Sequence, residues 1–446
     1  MFRRVLIANR GEIALRIIRA CKELGIETVC VYSEADAQIP YLRLADRAIC
    51  IGRAPAKDSY LNASRILAAA EIADVDAIHP GYGFLAENAE FSEMCRDCRI
   101  EFIGPSPESM RQLGDKIEAK RTARAARVPI FPGSDSAIED EDEAAETAAR
   151  IGYPVIIKAS AGGGGRGMRV CHNEATLRSN IKNAQQEALA SFGNGEVFIE
   201  KFLESARHVE VQVLGDKHGH AVHLFERDCS MQRRYQKLVE EAPAPNVDRK
   251  KIGVVCEAAA RLIKAADYAG AATVEFLMDE KQNFYMLEVN TRVQVEHPVT
   301  EAVTGVDIVK MSILIASGEP LPFRQRDVKL DGHAMECRIN AEDWSRNFMP
   351  SAGRIEQWEL PGGPGVRVDS HVVPGYTVPP TYDSMIGKLI VHGDDREACM
   401  TRMARALREF RVGPIKTTIG LHLRLMEHSA FRNGGVDIHF RERLLK

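Results

Sequence analysis

Phe284-Tyr285-Met286-Leu287-Glu288-Val289-Asn290-Thr291-Arg292-Val293-Gln294-Val295-Glu296 alternates polar and apolar side chains almost without a break. Leu287, Val289, Thr291, Val293 and Val295 hold the odd positions; Glu288, Asn290, Arg292, Gln294 and Glu296 hold the even ones. Successive side chains of an extended chain point to opposite faces, so the pattern predicts one anchored apolar face and one row of acid, amide, cation, amide and acid. A site gripping a metal and an anion side by side needs that order, although an edge strand dressed in mixed charges also produces it. At roughly 3.3 Å per residue, Glu288 to Glu296 spans about 26 Å if straight. One small ligand cannot touch both ends. The chain is therefore expected to bend, with Glu288 and Asn290 serving one subsite and Arg292 to Glu296 a neighbouring one.

Upstream, Thr273-Val274-Glu275-Phe276-Leu277 places a carboxylate inside an apolar strand, which is costly unless it is paired or metal-bound. If that strand pairs with Phe284–Asn290 as a hairpin, Glu275 and Glu288 converge. With the Asn290 oxygen they form a hard oxygen set suited to Mg²⁺ or Mn²⁺ bridging nucleotide phosphates; a buried salt bridge from Glu275 to Arg292 or Lys237 is the plainer alternative. Arg292 offers a planar fork matched to a carboxylate or bicarbonate, and Glu296 a general base beside it. Arg338, in a strand with apolar neighbours, suits either an oxyanion or a structural ion pair.

Lys158 to Met168 encloses four adjacent glycines, Gly162–Gly165, between two apolar strands. Glycines there let backbone N–H groups approach phosphate oxygens, and a strand rather than a helix follows, so the stretch is a phosphate-covering hairpin lid or a plain hairpin tip, not a P-loop. Asp228–Lys237 is densely cationic, fit for phosphate neutralisation or a surface ion network. Glu200-Lys201-Phe202-Leu203 mixes a polar pair with apolar residues, as an adenine pocket or an ordinary strand end would.

The 446 residues predict two to four domains. A βαβ start (3–9, a helix from Gly11, then Glu27–Tyr32), with further strands at Ala77–His79 and Glu101–Ile103, predicts a parallel sheet. Residues 105–133 read as a helical basic connector. Residues 134–202 read as a small lid domain, and the strands after 203 as a larger antiparallel α/β domain. Net charge near −4 gives no reason to expect nucleic acid or membrane-surface partners. No apolar run approaches the ~18 residues of a spanning helix, and ten scattered cysteines suggest reduced thiols and a cytoplasmic address. Cys95 and Cys98 form a lone C-x-x-C, read as packing rather than a zinc site.

Together Ile7–Ala14, His79–Asn88, Lys158–Met168, Arg227–Lys237 and Glu288–Pro298 closely resemble biotin carboxylase, an ATP-grasp enzyme. The resemblance implies three parts: an N-terminal parallel-sheet domain (1–114) and connector (115–133); an ATP-grasp fold with a mobile glycine-rich lid (134–202) and a central domain (203–330); and a C-terminal biotin carboxylase domain (331–446). It implies that Lys116, Lys158, Met168, Glu200, Lys201, Phe202, Leu203, His208, Gln232 and Tyr235 bind ATP under a lid containing Gly164 and Gly165. Glu275, Glu288 and Asn290 would hold two Mg²⁺ or Mn²⁺ ions. Lys237, Arg292, Gln294, Val295, Arg338 and Tyr82 would position bicarbonate and biotin; Glu296 would be the base and Arg338 would stabilise the biotin enolate. One departure is Tyr235, where relatives carry His. No Ala-Met-Lys-Met is present, so biotin is expected on a separate carrier protein, with carboxyltransferase subunits and a homodimer completing the assembly. Acetyl-CoA carboxylase is the default membership, with pyruvate or propionyl-CoA carboxylases open. A carboxylate–amine ligase and a non-catalytic nucleotide sensor are the competing classes.

Overall fold

The computed structural model describes residues 1–134, 136–160 and 168–444; the glycine tract, with Gly164 and Gly165, lies outside them. The N-terminal unit alternates strand and helix: β1 Arg4–Ile7, α1 Gly11–Glu23, β2 Glu27–Ser33, β3 Arg47–Gly52, α2 Ala63–Ala73, β4 Ala77–His79, α3 Ala89–Asp97 and β5 Glu101–Phe102. Its five strands pair in parallel in the order β3-β2-β1-β4-β5. Order reverses at β1, so the carboxyl ends of β1 and β4 open a crevice of the kind that such sheets use for ligands. His79–Gly83 leaves β4 there. Cys95 packs into this unit's core and Cys98 is exposed at the end of α3.

The expected connector is more than a linker. Helices α4 Pro107–Gly114 and α5 Lys116–Ala125 bury Leu113, Ala119 and Ala123 in the same core as the central sheet, because their apolar residues recur at helical spacing. Asp115 caps α5 by accepting from the Ile117 and Glu118 amides. The small unit that follows has α6 Glu141–Ile151, capped by Asp140, then β6 Val155–Ala159, β7 Arg169–Cys171, α7 Glu174–Phe192 and β8 Val197–Lys201, with strand order β7-β6-β8.

An eight-stranded antiparallel sheet forms the rest of the frame. It contains β9 Arg207–Gly215, β10 Ala221–Arg233, β11 Gln236–Ala242, β12 Gly270–Met278, β13 Phe284–Asn290 and β14 His333–Asn340, with α8 Arg249–Ala265 packed on one face. Strand order is β13-β12-β9-β10-β11-β14, continued by Met385–Gly393 and Val366–Asp369. The border expected at 330/331 therefore falls within one continuous sheet. Residues 228–237, read as a cationic stretch, form the β10–β11 hairpin. Arg234 and Tyr235 both take positive φ, 48° and 66°, as a two-residue turn between right-twisted strands requires.

Candidate active site

The opening alternation is interrupted by a bulge between Met286 and Glu288, where the register with β12 shifts, and it stops at Asn290, where β13 ends. The chain then turns, and Glu296 becomes the N-cap of α9 His297–Thr304. The expected bend is real, and it brings the later half of the row back onto the sheet. Glu275 and Glu288 are direct partners in the β12–β13 register, so their side chains share a face.

Lys237, at the start of β11, is the hub. Its Nζ lies 2.5 Å from Glu210 Oε2, 2.9 Å from Glu275 Oε1 and 2.5 Å from Glu296 Oε1. Burial disfavours the ammonium, but the three carboxylates outweigh it and raise its pKa. Glu275 also meets His208 Nε2 at 3.1 Å and accepts from Asn290 Nδ2 at 3.0 Å and Gln294 Nε2 at 2.9 Å. The salt bridge weighed as the plain alternative for Glu275 thus exists, within a set of groups that also faces Glu288. Burial works against the Glu275 anion, yet Lys237 and His208 hold its carboxyl well below the usual range; Glu288 is pushed up by burial and by Glu275. His208 loses to burial and gains more from Glu275, so its pKa rises.

Glu296 is 2 % exposed. Burial opposes its charge, but Lys237 and then Arg338 keep it ionised well below the ordinary carboxylate range. Arg338 Nη2 reaches Glu296 Oε2 at 3.0 Å, while its Nε donates to Glu240 Oε1 at 2.6 Å. Arg338 therefore joins the site and also makes the structural ion pair. Arg292 is oriented from two sides: Nε donates to Glu87 Oε2 at 2.9 Å and Nη2 to Asn290 Oδ1 at 3.1 Å. Glu87 belongs to the N-terminal unit, so this contact spans the cleft between units.

A second cluster sits at the base of the small unit. Glu200, 3 % exposed, meets Lys158 Nζ at 2.5 Å and also Lys120. Burial opposes the Glu200 anion, and Lys158 and Lys120 lower its pKa nonetheless. Burial and the charge of Lys158 lower the pKa of Lys116, while Glu288 and Glu200 act in the other direction. Lys116 thus links the two clusters. Lys201 Nζ donates to the Gly152 and Tyr153 carbonyls, at 3.1 and 2.8 Å, and the Phe202 amide to Pro154 O at 3.0 Å. Leu203 and Met168 are half-buried, Gln232 is buried, and Tyr235 is 69 % exposed at the hairpin tip. Tyr82 donates its hydroxyl to Glu12, and the Val295 carbonyl accepts from Lys388 Nζ at 2.9 Å.

Six residues of this arrangement carry no assigned role in the sequence pattern. Glu210 and Gln212 share a face with His208 at period two on β9, and that alternation was a usable signal. Arg227 is fully buried and donates to Glu210, Gln212, Thr273, Gln294 and Thr300. Lys120 lies four residues after Lys116 on one helix face. Glu87 and Glu240 had no local signal as partners of Arg292 and Arg338.

A parallel-sheet unit, a small three-stranded lid unit and a long antiparallel sheet converging on clustered lysines and carboxylates define an ATP-grasp ligase. Family models agree along the chain: biotin carboxylase N-terminal domain over residues 1–110, carbamoyl-phosphate synthase L chain ATP-binding domain over 115–324, and biotin carboxylase C-terminal domain over 336–443. Biotin carboxylase of Allochromatium vinosum is 57% identical over 100% of this chain and 99% of its own length. The biotin carboxylase–β,γ-ATP complex of Campylobacter jejuni superposes with a TM-score of 0.95 at 50% identity, covering 99% of each chain. The biotin carboxylase domain dimer of Hydrogenobacter thermophilus 2-oxoglutarate carboxylase, with MgADP, ADP and bicarbonate, gives 0.93 at 48% identity, covering 99% and 98%. The chain belongs to the biotin carboxylase family and is an ATP-dependent ligase. Among the described residues no helix is long and apolar enough to cross a membrane.

Proposed function

We propose that this chain carboxylates biotin, borne on a separate carrier protein, with bicarbonate and ATP, as the biotin carboxylase subunit of an acetyl-CoA carboxylase. The observation that carries it is the joining of Lys237, Glu296 and Arg338 into one buried network a turn away from Arg292 and Gln294. Lys237, Arg292, Gln294 and the Val295 backbone position bicarbonate. Glu296, held as an anion, takes its proton. The freed oxygen attacks the γ-phosphorus of ATP, giving carboxyphosphate and ADP. Carboxyphosphate splits into CO₂ and phosphate; the phosphate accepts the N1′ proton of biotin, and the enolate, stabilised by Arg338 and approached by Tyr82, bonds to CO₂.

Nucleotide contacts are assigned to Lys116, Lys158, Glu200 to Leu203, His208, Gln232 and Tyr235, with Met168 at the lid's edge. Glu275 and Glu288 fit a divalent cation because they are in-register partners on one face; the Asn290 amide donates to Glu275 and its oxygen accepts from Arg292, so to serve as a ligand it must turn over. Bound there, Mg²⁺ or Mn²⁺ supplies positive charge against the triphosphate. A homodimer and carboxyltransferase partners complete the proposed assembly.

ADP release measured with free biotin tests the proposal: turnover is expected to require both bicarbonate and biotin. Turnover that ignores bicarbonate and needs an amine instead would convict the carboxylate–amine ligase reading. The carboxyl acceptor is tested by capturing the biotinylated carrier and identifying its transferase.

A further inference from the structure

Behind Arg338 the sheet carries an arrangement the reaction does not use directly. Glu240 on β11 and Glu336 on β14 are direct partners in the antiparallel register, and both are 0% exposed. Partners of this kind hold their Cβ atoms about 5 Å apart, and like charges so placed repel. Two cations reach this part of the sheet, Arg338 and Lys388, and both have other work. Arg338 binds Glu240 Oε1 and Glu296; Lys388 contacts Glu12 at 3.1 Å and Val295 O. Glu240 Oε2 and both Glu336 oxygens are buried without any hydrogen-bond partner. Three carboxylate oxygens buried without a protein partner are costly to keep all charged.

We propose that Glu240 and Glu336 share one proton, forming an acid–carboxylate pair that positions the Arg338 guanidinium on Glu296. A shared proton satisfies Glu240 Oε2 and one Glu336 oxygen together and leaves a single anion to hold Arg338. Two facing carboxyls in one low-dielectric site cannot both ionise. Charge effects run the same way. Burial and then Arg338, Glu296 and Lys237 set Glu240, which is raised to about 7; burial outweighs Lys388 to push Glu336 well above the ordinary carboxylate range, with Glu240 adding to it. The other titratable groups facing the pair are Cys229 on β10, Cys337 on β14 and Tyr82 beside β4. All three stay neutral at pH 7, since burial raises each of them. When pH strips the shared proton, a second anion beside Arg338 draws the guanidinium off Glu296.

The inference rests on Arg338 and Glu296 being the reacting pair, but its first test does not need turnover. Infrared spectra of the full-length enzyme at pH 7 are expected to contain the C=O stretch of a protonated buried acid, lost in Glu336→Gln. In Glu240→Gln the same band is expected to shift, because the acid then faces an amide. Absence of the band from the wild type, or its persistence unchanged in either variant, overturns the proposal while leaving biotin carboxylation untouched. In turnover, Glu336→Gln should keep activity at neutral pH and lose the alkaline fall in kcat. Glu240→Gln should lower kcat about tenfold or more, less than removal of an oxyanion donor, with KM for ATP unchanged. A Glu336→Gln profile that falls with the wild type's at alkaline pH also overturns it. Loss of bicarbonate dependence in the wild type would instead sink the functional reading.

Discussion

Arg338, on β14, and Glu296, at the N-cap of α9, meet through one Nη2···Oε2 contact of 3.0 Å across a sequence separation of 42 residues. That contact leaves Glu296 doubly held, since Lys237 occupies its other oxygen. A base so stabilised is ionised at any physiological pH, and it accepts a proton only when bicarbonate delivers one at bonding distance. Glu296→Gln is expected to abolish biotin-dependent ATP turnover, costing about 3–4 kcal/mol of transition-state stabilisation or more. ADP release with and without biotin measures it; near-wild-type turnover would remove Glu296 from the chemistry.

The same depressed pKa has a consequence for stability. The sign follows from linkage: a carboxyl whose folded pKa lies below its unfolded one contributes stability that is full above the unfolded value and is lost as pH falls through the folded one. Glu296 and Glu275 both shift this way. The wild-type melting temperature should therefore hold from neutral pH down to about pH 5 as far as these two groups set it, and decline below about pH 4, the usual carboxylate range. Calorimetry across that window tests the claim, and a decline confined to pH above 6 would contradict it.

Lys237→Met makes the complementary prediction. Removing the hub leaves Glu210, Glu275 and Glu296 buried with only Arg227, His208 and Arg338 respectively as cationic partners, and breaking a buried pair by deleting one partner costs up to about 3–5 kcal/mol. Thermal unfolding should show the loss at neutral pH and a smaller one in acid, where protonation relieves the excess of buried negative charge. Equal losses at both pH values would mean that Lys237 acts by packing alone.

How much of this was legible from residues follows from where polarity and burial agree. Glu288 and Asn290 announced β13, because they alternate with the apolar Leu287 and Val289, of which Val289 is buried. Strand β11 was hidden: Gln236-Lys237-Leu238-Val239-Glu240-Glu241-Ala242 carries three charges that read as surface, yet Glu240 is paired by Arg338 and Glu241 by His333 and Arg396. Those partners lie 92 to 155 residues away. The continuity of the sheet into Met385–Gly393 was hidden for the same reason, since Lys388 is fully buried there. Pairing at such separations leaves no periodic trace. The family resemblance supplied the roles of Arg338 and Lys237, while the register of β11 on β14 came only from the fold.

Glu288 opens to the cleft and repels Glu275, so in the free enzyme it is a small liability. Glu288→Gln should leave the melting temperature without nucleotide unchanged or slightly higher. The increase in melting temperature on adding Mg-ATP, which scales with affinity, should shrink or vanish. A thermal-shift series with and without Mg-ATP reads both. An undiminished nucleotide shift would take Glu288 out of the cation site.

Glu87 tests whether the N-terminal unit reaches into the chemistry. It touches Arg292 at Nε, and its carboxylate also accepts from the Thr291 amide at 3.1 Å, so it sets both the side chain and the backbone of the turn after β13. The pair is partly exposed, with side chains 20% and 41% accessible, and contributes little stability, about 0–1 kcal/mol. Its value lies in aim. Freed from Glu87, the Arg292 fork keeps only Asn290 Oδ1 and its own neighbour's carbonyl as anchors, and misplacement of about 1 Å costs roughly a hundredfold in rate. Glu87→Gln is therefore expected to melt like the wild type, to bind Mg-ATP normally, and to raise KM for bicarbonate or lower kcat by about tenfold or more. An unaltered bicarbonate dependence would mean that β13's own turn, without help from across the cleft, suffices to hold the anion site.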